Sequence, residues 1–399
     1  MKVLVLNSGS SSLKCQVYEV RSESEAESLA KVTIERVGSD QAALSYTGGD
    51  GVELSGERPC RTHLDGIRRV LELLADPEHG VVASLAELDA VGHRVVHAGE
   101  AFSGSVPATD EVMAALDACC DLAPLHNPAN LAGIRACAEA LPDAPQVCVF
   151  DNALHHDLPP EAFYYGLPRS FYTEHRVRRY GFHGVALRSI VEQVEQFVGR
   201  PREELRIVSL MLGSGCTANA MDHGRSVAVS TGFTPLEGLV QSTRCGDLDP
   251  AAVLHLLRSG LSAETLGNTF NRQSGLRGVS GFSNDMRDLK ASDDPRAKLA
   301  IELFLHRATR YLGAYIADMG GVDAIAFGGG IGQNNPDLRA RLCGQLSHLG
   351  VKLDPAANEA AMRGRAGLIS APDSAVAVVM AAVDEELVIA RDTRRVVLA

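Results

Sequence analysis

One strand–turn–strand layout occurs twice in this chain, and it constrains the fold more than any other feature. Lys2-Val-Leu-Val-Leu6 is a short apolar run, Asn7-Ser-Gly-Ser-Ser-Ser12 a polar turn, and Leu13 to Val20 alternates apolar with polar residues. That pattern predicts an antiparallel hairpin. The layout returns at Arg206 to Leu212, Gly213-Ser-Gly-Cys-Thr217 and Ala218 to Met221, with a third strand over Ser226 to Ser230. Two hairpins of one type, one opening each half of 399 residues, predict two related halves, each with its own sheet.

Between the hairpins, helical and strand patterns alternate, so the class is α/β. Asp65 to Ala75 puts Ile67, Val70, Leu71 and Leu74 on one helical face. Asn127-Pro128 and Asp249-Pro250 each read as a helix start, the first with Leu131, Ile134 and Cys137 turned inward. Pro295 to Met319 is the longest helical pattern, with Leu299, Phe304, Ala308, Leu312 and Tyr315 expected on the core side. Ala90 to Val96, Gln146 to Phe150 and Ala324 to Phe327 are short apolar strands of the kind covered on both faces. The longest apolar run, Ala375 to Val383, is too short to span a bilayer and fits a buried strand.

Composition excludes several classes. Apolar residues make up 45% and charged residues 22%, as in ordinary globular proteins rather than disordered or fibrous ones. The net charge of −12 opposes broad binding to nucleic acid or to acidic membranes, and neither partner is expected. Nine cysteines, odd in number and without a CxxC pair, read as reduced thiols. Val3-Leu-Val-Leu6 is too short for a signal-peptide core, so a cytoplasmic location is expected. The vicinal Cys119-Cys120 pair has no derivable role.

The chain has 38 glycines, and the excess over ordinary usage clusters at three strand ends, Asn7–Ser12, Gly213–Thr217 and Gly328-Gly-Gly-Ile-Gly-Gln333. Such turns let backbone N–H groups converge on phosphate oxygens, with Ser10, Ser12 and Ser214 adding hydroxyls. Any one of them is equally a tight corner; three together point to a nucleotide. Arg94 and Arg244, beside apolar strand ends, suit a transferring phosphoryl group, since guanidinium stays charged and donates two parallel hydrogen bonds. Both are also free to pair with structural carboxylates. Asp151, directly after a strand, and Glu385, at a helix start, are candidate magnesium ligands. Acidic residues in a first helical turn also complement the helix dipole with no metal. His93/His97 and His155-His156 lack the companions of a zinc site and read as core histidines.

With these segments in order, the chain resembles the acetokinase family of the sugar kinase–actin superfamily. The carrying motifs are Asn7-Ser-Gly-Ser-Ser-Ser-Leu-Lys14, Gly92-His-Arg-Val-Val-His97, Pro124-Leu-His-Asn-Pro128 and Arg179-Tyr-Gly-Phe-His-Gly184. Gly232-Phe-Thr-Pro-Leu-Glu-Gly238, Thr243-Arg-Cys-Gly-Asp-Leu-Asp-Pro250, Lys352-Leu-Asp-Pro355 and Glu385-Glu-Leu-Val-Ile-Ala-Arg-Asp392 continue the match along the chain. The resemblance implies a duplicated ribonuclease H-like fold with two domains around a central cleft, closing by a hinge. It places the first domain at 1–150, completed by a C-terminal helix at 386–399, and a nucleotide-binding domain at 151–385. It implies in-line phosphoryl transfer between ATP and a short carboxylate, acetate or propionate, with magnesium or manganese, in a homodimer.

Residue roles follow from the same resemblance. Arg94 and Arg244 would stabilise the transferring phosphoryl, His183 would hydrogen-bond it, and His126 would line that site. Asp151 and Glu385 would position the metal, with Asn7 nearby. Val96, Leu125, Phe182 and Pro235 would form the acyl pocket. Ser10, Ser12, Lys14, Gly213, Ser214 and Gly215 would meet the donor's phosphates. Asp285, Met286, Arg287, Gly330, Ile331 and Gly332 would hold its nucleoside.

The departures fall on the donor side. The family's His-Leu-Gly-Asn-Gly reads Met211-Leu-Gly-Ser-Gly215, its Gly-Ile-Gly-Glu-Asn reads Gly330-Ile-Gly-Gln-Asn334, and its Thr-Ser-His after Phe-His-Gly reads Val185-Ala-Leu187. Each lost hydrogen bond is worth roughly 0.5–3 kcal/mol, so weaker or altered donor use is expected with acyl chemistry kept. The alternatives are the same acyl chemistry with a donor such as pyrophosphate, or an inactive nucleotide-binding regulator.

Overall fold

The structure is a computed structural model, and it describes residues 1–399 other than Ser10, Asp50 and Leu125. The chain forms two compact units, Met1–His156 with Asp384–Ala399, and Asp157–Val383. The division falls after His156 rather than after Phe150, so Asp151 and Glu385 both belong to the first unit. Asp151 N–H bonds the Val95 carbonyl at 3.0 Å, and the Asn152 amide takes Ala98 N–H and gives to the Gly99 carbonyl. These bonds hold the segment after Phe150 to the first sheet.

That sheet has eight strands: β1 (Lys2–Ser8), β2 (Ser12–Val20), β3 (Ala26–Glu35), β4 (Ser39–Gly48), β5 (Glu53–Cys60), β6 (Ala90–Val95), β7 (Val106–Pro107) and β8 (Gln146–Phe150), in the order β5-β4-β3-β2-β1-β6-β8-β7. β1 pairs antiparallel with β2, from Lys2 against Glu19 to Ser8 against Leu13, and parallel with β6; β6 is parallel to β8. One face carries Leu4, Leu6, Leu13 and Val91 against the helices His63–Leu74 and Asn127–Ala140. Thr62 and Asp65 close a capping box that starts the first of these. Successive residues alternate faces, so Gly92 points opposite to Val91, toward Ile389 and Thr393 of the helix Glu385–Leu398.

The second unit repeats the plan. Its strands are β9 (Arg206–Leu212), β10 (Cys216–Asp222), β11 (Arg225–Val229), β12 (Ala324–Gly328), β13 (Gly367–Leu368) and β14 (Ala377–Met380), ordered β11-β10-β9-β12-β14-β13. β9 is antiparallel to β10 and parallel to β12, which is parallel to β14. The run β3-β2-β1-β6-β8 in the first sheet and β11-β10-β9-β12-β14 in the second therefore share order and direction. This is a duplicated actin/sugar-kinase-like α/β fold with two mixed sheets.

The helix Pro295–Asp318 buries Phe304, Ala308, Leu312 and Tyr315 against the second sheet. Leu299, expected with them, is 58% exposed. Five residues before Phe304 is about 140° away around a helix of 3.6 residues per turn, and Ala297 and Ala300 complete the buried stripe instead. Among the described residues, no helix is long and apolar enough to cross a membrane.

Candidate active site

In the first unit, the chemistry gathers at the carboxyl ends of the parallel strands β1, β6 and β8, where α/β sheets place ligands. Arg94 on β6 donates to Asp151 Oδ2 through Nε at 3.1 Å and Nη2 at 2.5 Å. Its Nη1 lies 3.4 Å from Asn7 Oδ1 and 3.9 Å from Glu385 Oε2. The Asp151 side chain is 2% exposed, and its Oδ1 is buried with no hydrogen-bond partner among the described residues. Burial lifts the Glu385 carboxyl above the ordinary range; the Arg94 charge opposes this and Asp151 adds to it. Burial lowers the Arg94 pKa, but the carboxylates of Asp151 and Glu385 outweigh it, and the guanidinium is held firmly charged. The structure thus brings Asn7, Arg94, Asp151 and Glu385 together, with the charge of Arg94 largely committed to Asp151.

Lys14 stands exposed on β2 opposite Asn7 in register, and its charge reaches Glu385. Ser12 opens the same strand. His126 is half-buried at the start of the helix Asn127–Ala140, and Val96, half-buried, bonds its N–H to Asn130 Oδ1 at 3.1 Å. Leu125 and Ser10 lie outside the described residues.

An orphaned carboxylate oxygen beside a second carboxylate and an amide oxygen is a hard-oxygen set, which suits magnesium or manganese rather than zinc. No group of three or more His, Cys, Asp or Glu side chains able to hold a metal occurs among the described residues. A magnesium ion held by this set would draw its other ligands from water and phosphate oxygens, its usual partners.

The second unit carries the other candidates. The turns after the adjacent parallel strands β9 and β12 face a cavity of about 750 Å³. Gly213, Ser214, Gly330 and Ile331 form one part of its lining and Asp285, Met286 and Arg287 another. A Cβ on Gly330 would meet nothing within 4 Å, so the cavity opens directly onto backbone there. Asp285 caps the helix Met286–Ala291 and pairs with Arg287, whose hydrogen bonds hold its carboxyl at about 2. Gly215 and Gly332 are not in the lining. Gly332 is buried in the helix Gly329–Asn334, and Gly215 lies beneath His183, where a Cβ would come 2.9 Å from Cε1 and 3.1 Å from Nε2.

His183 precedes the helix Gly184–Val198 with φ of 62°, a left-handed conformation uncommon outside glycine. Its Nδ1 shares a 2.8 Å hydrogen bond with the buried Thr217 Oγ1, which fixes the ring and turns Nε2 toward Gly215. Phe182 is 2% exposed with its N–H on Thr231 Oγ1, and Pro235 lies in the loop after β11. Arg244 has no carboxylate partner among the described residues; its guanidinium makes a 3.4 Å bond to Gln241 Oε1. Burial holds its pKa below the usual arginine range, although far too high for it to lose its proton. Thr217 and Gln241 carry no catalytic signature of their own. Thr217 ends a glycine turn and Gln241 precedes the Thr243 motif, and only the folded contacts reveal them.

Comparison with known proteins agrees along the whole chain. Residues 2–391 match the model of the acetokinase family. An acetate kinase of Dictyoglomus turgidum is 45% identical over 401 residues, covering 100% of this chain and 98% of that protein. The crystal structure of Porphyromonas gingivalis acetate kinase superposes with a TM-score of 0.94 at 39% identity, covering 99% of both chains. A propionate kinase structure from Francisella tularensis gives 0.90 at 33% identity, also over 99% of both. With the duplicated fold and both groups of candidate residues in place, this chain belongs to the acetokinase family.

Proposed function

We propose that the protein transfers the γ-phosphoryl group of ATP reversibly to acetate, giving acetyl phosphate and ADP. The observation that carries this reading is Arg244, a partly desolvated cation left without a carboxylate partner in the unit that also holds the glycine-walled cavity. Buried charges are normally paired, so an unpaired one marks an anion site. The transfer is one displacement: an acetate oxygen bonds to the γ-phosphorus as the bond to the ADP oxygen breaks. Positioning and charge neutralisation then supply most of the catalysis. Arg244 would neutralise the transferring phosphoryl and His183 would donate to it. Arg94 holds Asp151 in place through two hydrogen bonds, and Asp151, Glu385 and Asn7 would hold magnesium. When bound, the metal ion neutralises charge on the donor's phosphates.

The nucleoside half of the donor favours ATP over pyrophosphate. Pyrophosphate needs no space beyond its phosphates, whereas the cavity continues past the glycine turns to Asp285–Arg287. Of the three departures, Ser214 lines this cavity, and Met211 and Gln333 do not. The test is acetyl phosphate formation at saturating acetate and magnesium with ATP or with pyrophosphate. ATP is expected to support turnover and pyrophosphate not; the reverse outcome overturns the donor assignment.

We also propose a homodimer in the cytoplasm. The helix Pro250–Arg258 buries none of its residues; Leu254 and Leu257 stand three residues apart on it with 51% and 39% exposure, and Leu261, just past its end, is 37% exposed. Exposed apolar patches mark interaction surfaces, and the occupant proposed for this one is a second copy of the chain. All nine cysteines are free thiols, as a reducing compartment keeps them.

A further inference from the structure

Gln241 is fully buried, and each polar atom of its side chain has a partner from a different part of the second unit. Nε2 donates to the Pro235 carbonyl at 2.7 Å. Oε1 accepts from the backbone N–H of Cys216, in the Gly213–Thr217 turn, at 3.4 Å and from Arg244 Nη1 at 3.4 Å. The amide orientation follows from chemistry, because only its oxygen can face two donors and only its nitrogen can face a carbonyl. The backbone is clamped as well: Gln241 N–H bonds the Arg244 carbonyl at 3.2 Å, and the Gln241 carbonyl takes Leu276 N–H at 2.9 Å. Gly275, at φ of 62°, sits where any Cβ would strike that carbonyl.

We infer that Gln241 is a positioning residue that aims the Arg244 guanidinium at an anion without neutralising it, and ties that arginine to Pro235 and the Gly213–Thr217 turn. The inference rests on reading Arg244 as the phosphoryl-binding cation. A neutral amide suits the task in a way its isosteres do not. A carboxylate would also bond Arg244, but it would cancel the charge an incoming phosphoryl needs and could not donate to Pro235. Methionine fills the same space and makes neither bond. The amide orients the arginine and leaves its charge available.

The test compares Gln241→Glu, Gln241→Met and Arg244→Ala with the parental full-length chain. Calorimetric titration with sulfate, a tetrahedral dianion, reads the anion site, and thermal melting reads packing. Sulfate affinity is expected to fall about threefold in Gln241→Met and at least about thirtyfold in Gln241→Glu, the larger loss coming from the added charge beside Arg244. It is expected to vanish in Arg244→Ala. Melting should rank the other way, with the glutamate variant above the methionine variant, since glutamate keeps a hydrogen bond. A merely structural Gln241 gives one ranking in both readouts. Sulfate bound by Gln241→Glu at least as tightly as by Gln241→Met overturns the inference, as does sulfate binding that is absent from the parental chain or indifferent to Arg244→Ala. Turnover of ATP and acetate by the parental chain is measured separately. If turnover is absent while the sulfate ranking holds, the proposed reaction fails and the role of Gln241 stands. If turnover is present while the ranking fails, the reaction stands and the role of Gln241 falls.

Discussion

His93 and Arg94 are neighbours on one strand, and their surroundings hold them in opposite charge states. Burial pushes the His93 pKa from 6.5 to about 4, only partly offset by its 2.7 Å hydrogen bond to Gln146 Oε1. Since Gln146 Nε2 already donates to the Ala144 carbonyl, its oxygen faces His93, and the neutral ring donates through Nε2. The unfolded chain therefore binds one more proton than the folded chain between pH 6.5 and pH 4. Stability from this residue is complete above pH 6.5 and is lost as pH falls through that window, by about 3 kcal/mol in total. Denaturant unfolding of the parental chain and of His93→Gln across this range is expected to show a shallower pH slope in the variant; equal slopes contradict the assignment. At this scale the sequence is informative where charged residues sit at strand ends, as at Arg94 and Asp151, which the fold brings within hydrogen-bond distance. It is silent on Thr217 and Gln241, whose importance lies in contacts to residues distant in the chain. It misleads at Leu299, because a leucine inside a helical pattern joins the apolar stripe only where its angle around the axis brings it to the core.

The helix Glu385–Leu398 lies on β6 at a notch made by Gly92. A Cβ there would collide with Thr393 Oγ1 and come 2.8 Å from Ile389 Cγ2. Thr393 is fully buried, and its hydroxyl already donates to the Ile389 carbonyl at 2.7 Å, so it has no room to yield. Gly92→Ala is expected to destabilise the chain by about 1–3 kcal/mol, read as a lower denaturant midpoint. Because that helix begins with Glu385, the same variant should need more magnesium for half-maximal activity; an unchanged midpoint contradicts the packing account. Both central hairpins and the helix starts at Asn127-Pro128 and Asp249-Pro250 are legible in the sequence, because β-branched runs, polar turns and capping residues are local signals. The antiparallel extension β3-β4-β5 is not. In β3 only Ala30, Val32 and Ile34 are buried, with Lys31 and Thr33 between them and Glu27, Ser28 and Glu35 to either side, so a half-solvated strand reads like polar loop.

Two units with one strand order describe the molecule as a whole, and the repeated hairpin makes the duplication visible in the sequence. The position of the division is less legible, since nothing in the composition marks His156, and it is the hydrogen bonds of Asp151 and Asn152 that keep this segment with the first sheet. The exposed leucines of Pro250–Arg258 give the prediction that belongs to this scale. Sedimentation velocity is expected to show a dimer for the parental chain and a monomer for Leu254→Glu/Leu257→Glu, whereas a dimer that survives the double substitution places the interface elsewhere.

The central claim is ATP-dependent phosphoryl transfer to acetate at a site whose essential cation is Arg244. Its most direct test is the rate of acetyl phosphate formation from ATP, acetate and magnesium, for the parental chain and for Arg244→Ala at equal concentration. Steady turnover is expected of the parental chain and a loss of about 10³-fold or more in the variant, the scale on which arginines act in phosphoryl transfer. No turnover by the parental chain at millimolar substrates, or an Arg244→Ala variant that keeps the parental rate, would contradict it.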